Sequence, residues 1–203
     1  MLQIYHAQHT RGIRPIWLCE ELDLPYQVVP VDFSAEYRAS PEWRALHPAG
    51  KVPVLVDDDV TMFESCAMMD YILARYGDGR LVPTAADENF ASYLQWHWFA
   101  ESTLARPLGE VINHGREFPD QNRIEPVVEE MINRSLLSLN AVAQTVQNQT
   151  YIAGDEFTAA DISMGYSLHL ARMILGERWP NELDAYWQKL ADRPGYQVAA
   201  SAL

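Results

Sequence analysis

Gly50-Lys51-Val52-Pro53-Val54-Leu55, followed shortly by Phe63-Glu64-Ser65, decides the fold of this chain. The first stretch predicts a turn entering a short strand, and the second predicts a strand end followed by a helix start. Because proline has no N–H to give a strand ladder, its position predicts a cis Val52–Pro53 bond and a Val52 backbone that faces a ligand. An acid and a hydroxyl at the helix start suit the head group of an amino acid. The two segments together therefore predict a site for a small peptide.

The composition is that of a globular protein with an acidic surface. The chain has 203 residues, of which 48% are hydrophobic, and no apolar run is long enough to span a membrane. It begins directly as a strand without a secretory leader, so we expect a cytoplasmic protein. Lys and Arg number 15 against 28 Asp and Glu, a net charge of −13 that disfavours nucleic acid or an anionic membrane as partner. Cys19 and Cys66 form no CxxC pair and the histidines show no ligand spacing, so no metal site is expected.

Residues 1–78 predict a domain in which strands and helices alternate as β-α-β-α-β-β-α. Because only Asp57-Asp58-Asp59 separates the last two strands, they must be antiparallel, which makes the sheet mixed. The expected strands cover residues 2–5, 26–31, 53–56 and 60–63, and the expected helices cover 14–22, 41–46 and 65–76.

Residues 79–87 predict a linker, and residues 88–203 predict an all-helical domain. An aromatic-rich helix should run from residue 88 to about residue 110, with Pro107 kinking or ending it. A second long helix should begin near Ile124. A helix over residues 161–175 is apolar nearly all round and should be central, with terminal helices at 180–191 and 195–200.

Four stretches, in order along the whole chain, resemble the cytosolic glutathione transferases. Residues 9–14 (His-Thr-Arg-Gly-Ile-Arg) resemble the family's Ser-Arg-Ser-x-Arg turn, and residues 47–53 (His-Pro-Ala-Gly-Lys-Val-Pro) resemble its Asn-Pro-x-Gly-Lys-Val-Pro segment. Residues 63–65 match its Glu-Ser pair, and residues 151–161 match the capping segment before its central helix. The aromatic run 95–104 resembles a bacterial subgroup. The resemblance implies a thioredoxin-like βαβαββα domain, an all-helical second domain, and a glutathione transferase that needs no metal.

The resemblance also implies which residues hold glutathione. Glu64 would pair with the γ-glutamyl ammonium, and Ser65, at the helix start, would donate to the γ-glutamyl carboxylate. Val52, before Pro53, would pair its backbone with the cysteinyl unit, and Lys51 would lie near the glycyl carboxylate. The alternatives are that Glu64 or Ser65 only caps the helix and that Lys51 is a solvated surface lysine.

The thiol of glutathione needs a hydrogen-bond donor, because the thiolate is the nucleophile and a free thiol is mostly protonated at neutral pH. Thr10 lies where the resemblance places the serine of serine-type members, and its hydroxyl can donate although its methyl restricts χ1. The alternative is that Thr10 is only the N-cap of the first helix. Tyr5 is the rival donor, since tyrosine-type members carry theirs at the end of the first strand. Arg11 either adds positive charge beside the sulfur or faces solvent.

Beyond glutathione, the resemblance implies an electrophile pocket between the domains and a homodimer. Trp98, Glu101 and Arg106 are the candidate pocket residues. The helix that carries residues 68–71 (Met-Met-Asp-Tyr) is expected to supply dimer contacts, through Met68, Met69 and Tyr71. Thr158 and Asp161 fit a capping box, whose role is folding.

The reaction expected from this resemblance is addition of the glutathione thiolate to a small hydrophobic electrophile, with a peroxide as a second type of substrate. One alternative is a non-catalytic binding or interaction protein on the same scaffold, because a fold does not fix a function. Another is a glutathione-dependent disulfide reductase or dehalogenase. Neither Cys19 nor Cys66 occupies the donor position, which disfavours a cysteine mechanism.

Overall fold

The computed structural model describes residues 1–117 and 122–202, so residues 118–121 and 203 lie outside the described part of the chain. The chain forms two compact units, one of Met1–Val82 with Ala191–Leu203 and the other of Pro83–Leu190. The C-terminal segment thus groups with the first unit, whereas the sequence analysis assigned it to the second domain. The predicted class, a thioredoxin-like sheet domain followed by a helical domain, is confirmed.

The first unit is built on a four-stranded mixed sheet with the strand order β2-β1-β3-β4. β1 pairs in parallel with β2 and antiparallel with β3, which pairs antiparallel with β4. Along β1, Leu2, Ile4 and His6 are buried while Gln3 and Tyr5 are half-buried, because successive side chains alternate between the faces. The strands are β1 Leu2–His6, β2 Tyr26–Pro30, β3 Val54–Asp57 and β4 Val60–Phe63.

The helices of the first unit pack on this sheet and on one another. α1 packs against both α4 and the C-terminal helix α10, where the Trp17 and Tyr196 rings meet edge to face at 5.0 Å between centroids. Met68 and Met69 are fully buried on α4, so the prediction that they supply dimer contacts is wrong: they are core residues. The helices are α1 Ile13–Glu21, α2 Ala35–Ala39, α3 Pro41–Leu46, α4 Ser65–Tyr76 and α10 Pro194–Ser201.

The second unit is helical throughout its described elements, and α8 is buried along most of its length, as the sequence predicts for a central helix. A capping box of Thr158 and Asp161 begins α8, which confirms that prediction. The helices are α5 Phe90–Phe99, a π-helix Ala100–Ala105, α6 Arg106–Glu117, α7 Glu125–Val146, α8 Ala159–Leu175 and α9 Asp184–Ala191, with short 3-10 turns at Gly176–Arg178 and Asn181–Leu183.

The aromatic-rich helix continues past Pro107, so the proline does not end it, but the regular α-helix is interrupted by a π-helix just before this residue. The π-helix lies immediately before Pro107, where the missing N–H and the bulk of the ring interrupt an α-helical ladder. The Ser167 hydroxyl donates to the Ala100 carbonyl at 2.8 Å, so a side chain of α8 supports the start of the π-helix. In the described ranges, no helix combines the length and the apolar character needed to cross a membrane.

Candidate functional site

The strand register brings three sequence-distant segments to one end of the sheet. Val54 pairs with Tyr5 of β1 on one side and with Phe63 of β4 on the other. The turn after β1, the segment before β3 and the residues after β4 therefore leave the sheet together. The predicted donor turn, the Val52–Pro53 segment and the Glu64-Ser65 pair are on these three segments.

Ser65 is the first residue of α4 and is buried, with 3% of its surface exposed. Its hydroxyl oxygen accepts a hydrogen bond of 3.0 Å from a guanidinium N–H of Arg14, a fully buried residue of α1. This bond leaves the hydroxyl proton of Ser65 available for another acceptor. A guanidinium behind a hydroxyl at a helix N-terminus is suited to a carboxylate. The sequence analysis missed this role of Arg14, although Arg14 belongs to the turn motif that it identified.

Glu64 precedes α4 in an unusual backbone conformation, with φ 77° and ψ 103°. A non-glycine residue reaches positive φ only at an energetic cost, and such costs concentrate at functional sites. Its side chain forms no capping hydrogen bond with α4, and the residue is exposed. The carboxylate is therefore directed to solvent or a ligand, and the alternative that Glu64 caps the helix with its side chain is wrong.

Val52 lies outside both ladders, because pairing of β3 begins at Val54. The Val52–Pro53 peptide bond is cis, as the sequence analysis predicts. Val52 belongs to a buried cluster with Ala7, Trp43 and Val54. This cluster joins the segment before β3 to the turn after β1.

The loop before Val52 is held by Arg44 of α3. Arg44 donates to the backbone carbonyls of Arg38 at 3.1 Å and of Pro48 at 2.8 Å. Gly50 has φ 61°, and a Cβ there would lie 2.4 Å from the Arg38 carbonyl oxygen, so the loop requires glycine at this point. Lys51 is exposed at the end of this loop.

His47 connects this loop to the Glu64 segment. Its ring stacks on Phe63 at 4.6 Å between centroids, and its Nδ1 accepts the Ala49 N–H at 3.2 Å. Burial lowers the pKa of His47, the Glu64 carboxylate opposes this, and the Lys51 and Arg44 charges add to the decrease. His47 is thus a structural residue between the acidic and the basic ends of the site.

Thr10 lies in the turn after β1, and its hydroxyl faces two groups. It donates to the Ala7 carbonyl at 2.6 Å, and Nδ1 of His6 lies 3.2 Å from the same oxygen. The N-cap of α1 is Gly12, so the alternative reading of Thr10 as the cap of this helix is wrong. Arg11 is half-buried in the same turn.

Tyr5, the rival donor, packs into the first unit. Its ring lies 6.0 Å from that of Trp43, and it lines the cluster that contains Val52. The two cysteines are buried, and burial, with a smaller effect of the Glu20 carboxylate, raises the pKa of Cys19 to about 12. A thiol with so high a pKa is unsuited to nucleophilic chemistry.

The electrophile candidates all lie in the second unit. Trp98 is 48% exposed, Glu101 is half-buried and Arg106 is exposed. Arg106 lines a groove of about 390 Å³ within this unit, whose lining includes neither Trp98 nor Glu101. The groove is lined by Ser102, Thr103, Arg106, Pro107, Met131, Arg134, Leu137 and Ser138. No cluster of three or more His, Cys, Asp or Glu side chains suits a metal ion within residues 1–117 and 122–202.

Comparisons with known proteins all point to one family. Residues 2–74 match the family described as "Glutathione S-transferase, N-terminal domain". The chain is 30% identical over 196 residues to glutathione S-transferase 4 of Zea mays, covering 92% of this chain and 86% of the relative. It is 28% identical over 217 residues to glutathione S-transferase 3 of Schizosaccharomyces pombe, with 98% and 87% coverage. Among solved structures, it is similar to the theta class glutathione S-transferase of Xanthomonas axonopodis pv. citri with glutathione bound. The TM-score is 0.85 and the sequence identity is 25%, and the alignment covers 100% of this chain and 98% of the other.

Proposed function

This chain belongs to the glutathione transferase family, and we propose that it conjugates the glutathione thiolate to small hydrophobic electrophiles. One observation carries the proposal: the Thr10 turn, the Val52 segment and the Glu64-Ser65 pair leave the same end of the sheet. Each of these segments supplies a group that glutathione needs, namely a thiol donor, an open backbone edge and a partner for the amino-acid head group. The site residues below are proposals on this basis.

The head group of glutathione is held at the start of α4. Ser65 donates its hydroxyl proton to the γ-glutamyl carboxylate, supported by the Arg14 guanidinium behind it. Glu64 pairs with the γ-glutamyl ammonium. Val52, before Pro53, pairs its backbone with the cysteinyl unit, and Lys51 attracts the glycyl carboxylate. These local positive groups draw an anionic peptide to a chain of net charge −13.

Thr10 is the proposed catalytic residue, with Arg11 adding positive charge and Tyr5 as the alternative donor. A hydrogen bond from Thr10 to the sulfur stabilises the thiolate and lowers the thiol pKa, so that the thiol proton leaves to solvent. With a chloronitrobenzene, the sulfur forms a bond to the ring carbon and chloride leaves with the electron pair of the C–Cl bond. With an organic peroxide, two glutathione molecules reduce it to an alcohol and water and become the disulfide.

Two substitutions separate binding from catalysis. Ser65→Ala should weaken glutathione binding at least about tenfold, because a buried hydrogen bond to a charged group is lost. Thr10→Val should retain binding but lower kcat and raise the pKa of the bound thiol. Titration calorimetry and turnover of a chloronitrobenzene measure the two effects, with Ser201→Ala, an exposed serine of α10, as control. An unchanged glutathione affinity in Ser65→Ala would contradict the proposed site.

The electrophile is proposed to contact Trp98, Glu101 and Arg106. The exposure of the Trp98 ring supports this role, since a large exposed aromatic side chain suits an apolar ligand. Trp98→Ala should raise KM for the electrophile while leaving the Kd of glutathione unchanged. An unchanged KM would remove Trp98 from the pocket.

A second function, non-catalytic glutathione binding, is favoured by the hydrogen bond of Thr10. The hydroxyl has one proton, and in this structure it is directed to the Ala7 carbonyl rather than outward. Tight glutathione binding with a bound thiol pKa equal to that of free glutathione would support this function. Measurable chloronitrobenzene turnover would count against it.

We also propose that the protein forms a homodimer. β4 is an edge strand, and its Val60 and Phe63 are 37% and 41% exposed. Exposed apolar side chains on an edge strand favour association. Light scattering at micromolar concentration should give twice the chain mass, and a monomeric mass would contradict the proposal.

A further inference from the structure

His6 ends β1 with its ring completely buried, on the same face as Ile4. The start of α1 packs directly on this ring, since a Cβ on Gly12 would lie 2.2 Å from Nδ1 of His6. The ring is therefore held in one place, with Nδ1 3.2 Å from the Thr10 oxygen. A change in the direction of the Thr10 hydroxyl therefore changes the hydrogen bonding of Nδ1.

The protons of this cluster can be assigned by counting donors and acceptors. The Ala7 carbonyl only accepts, and its 2.6 Å distance to the Thr10 oxygen accounts for the single hydroxyl proton. The Thr10 oxygen must then be the acceptor of its contact with Nδ1, so Nδ1 of His6 carries a proton. Nε2 is buried and forms no hydrogen bond of normal geometry within the described residues. The Ala202 backbone competes for the ring proton, but the 3.2 Å contact between Nδ1 and the Thr10 oxygen is the better formed of the two.

The surroundings of His6 keep the ring neutral. Burial lowers the pKa of His6 to about 4, the Ala202 backbone partly opposes this, and the nearby His9 adds to the decrease. A neutral imidazole has one N–H only, so the tautomer decides whether His6 donates to Thr10 or competes for its proton.

We propose that His6 is a positioning residue that donates its Nδ1–H to the Thr10 oxygen and so directs the threonine proton to the glutathione sulfur. This inference rests on the proposed function of Thr10. When the thiolate binds, the hydroxyl turns from the Ala7 carbonyl to the sulfur while Nδ1–H remains on the threonine oxygen. An oxygen that accepts a hydrogen bond is a stronger donor, because neighbouring hydrogen bonds polarise one another. No covalent bond changes, and each proton stays on its own heavy atom.

The two hydrogen bonds, from His6 to Thr10 and from Thr10 to the sulfur, form a relay whose effect is measured by the pKa of the bound thiol. Ultraviolet absorbance of the thiolate, recorded against pH on glutathione-saturated protein, should show a thiol pKa about half to one unit higher in His6→Phe, the effect of one lost hydrogen bond. His6→Asn, whose amide can still donate near the Nδ1 position, should restore most of the wild-type value. In a Thr10→Val background, His6→Phe should cause no further rise.

Three outcomes would overturn the inference. In the first, His6→Phe raises the thiol pKa by the same amount with and without Thr10, which would indicate a general structural effect. In the second, Thr10→Val raises the thiol pKa while His6→Phe leaves it unchanged, which would exclude His6 but keep Thr10 as the donor. If Thr10→Val itself leaves the thiol pKa unchanged, Thr10 is not the donor, and the proposed mechanism fails together with the relay.

A measurement on the wild-type protein keeps the inference testable if a His6 variant does not fold. Heteronuclear NMR of protein labelled at the histidine ring nitrogens reports which nitrogen of His6 carries the proton. A protonated Nδ1 is expected, and an unprotonated Nδ1 would overturn the relay.

Discussion

At the scale of single residues, Glu64 combines backbone strain with a proposed ligand contact. Its positive φ of 77° costs about 1–3 kcal/mol in a residue other than glycine. Glu64→Gly should therefore stabilise the protein by about 1 kcal/mol, because glycine adopts this conformation without strain. The same change should weaken glutathione binding, since the carboxylate is lost. Chemical denaturation and titration calorimetry measure the two effects.

Glu64→Ala is the matched control, because it removes the carboxylate but leaves a Cβ in the strained conformation. We expect it to lose the same affinity as the glycine variant without the gain in stability. Equal free energies of unfolding for the two variants would show that the strain at this position is negligible.

His6 predicts a dependence of stability on pH. Its pKa is about 4 in the folded protein and 6.5 when unperturbed, so between these values the unfolded state binds more protons. The free energy of unfolding should then fall as the pH falls from about 6.5 to about 4, by up to about 3 kcal/mol. The measurement is denaturant unfolding at a series of pH values in wild type and His6→Asn.

The variant is expected to lose less stability than wild type over this interval, because its residue 6 does not titrate. His47, whose pKa is also lowered, titrates in both proteins and cancels in the comparison. Parallel stability curves would show that His6 is not the group responsible.

At the scale of elements, the start of α8 depends on the buried carboxylate of Asp161. It accepts the Thr158 N–H at 2.9 Å, the Ile152 N–H at 2.9 Å and the Tyr186 hydroxyl at 2.7 Å. Thr158→Ala should cost about 1–2 kcal/mol, as for other N-caps. Asp161→Asn should cost more, about 3 kcal/mol or above, because an amide N–H is then placed among buried donors.

Denaturant unfolding of both variants tests whether Asp161→Asn costs more than Thr158→Ala. Asp161 accepts hydrogen bonds from Thr158 at the start of α8, from Ile152 in the preceding turn and from Tyr186 of α9, whereas Thr158 caps α8 alone. A smaller loss for Asp161→Asn than for Thr158→Ala would contradict the assigned network. Glutathione affinity should stay at the wild-type value in any variant that remains folded, because the capping box lies outside the proposed site.

At the scale of the whole molecule, the C-terminal segment returns to the first unit through Arg193. Two of its guanidinium nitrogens donate to the two carboxylate oxygens of Glu21, at 2.7 and 2.5 Å, and Trp17 donates to the same carboxylate at 2.8 Å. The side chains of Arg193 and Glu21 are only 28% and 12% exposed. A double-mutant cycle with Arg193→Gln and Glu21→Gln should give a coupling energy of about 1–3 kcal/mol.

The chain offers a control in the pair Arg178–Glu129, which also forms two hydrogen bonds, through the two terminal guanidinium nitrogens, but is half-exposed. Solvent screening should reduce its coupling energy to about 1 kcal/mol or less. Equal couplings for the two pairs would show that burial does not strengthen the link between α10 and α1.

Most of the fold, and the positions of the Val52–Pro53 and Glu64-Ser65 segments of the proposed site, could be predicted from the sequence, because short-range patterns determine them. Strand alternation, the tight turn before β4, the cis bond before Pro53 and the capping box each depend on neighbouring residues. The turn has two residues, one fewer than expected, because Asp57 still pairs with Val60. Two features of the helical unit could not be predicted this way. The π-helix before Pro107 and the 3-10 turn before α9 depend on how each helix packs against its neighbours. The periodicity of apolar residues predicts that a segment is helical but does not predict this packing.

The sequence by itself determined the mixed sheet, the helical second half and the Val52–Pro53 and Glu64-Ser65 segments, since these depend on local patterns. Only the tertiary structure decided that Arg14 supports Ser65, that His6 faces Thr10, and that the C-terminal helix packs on α1. The physical reason is that the direction of a hydrogen bond depends on groups that folding brings together from distant positions. His6 had one sequence signal, its place on the buried face of β1 after Leu2 and Ile4, but alternation alone does not identify what a buried histidine touches.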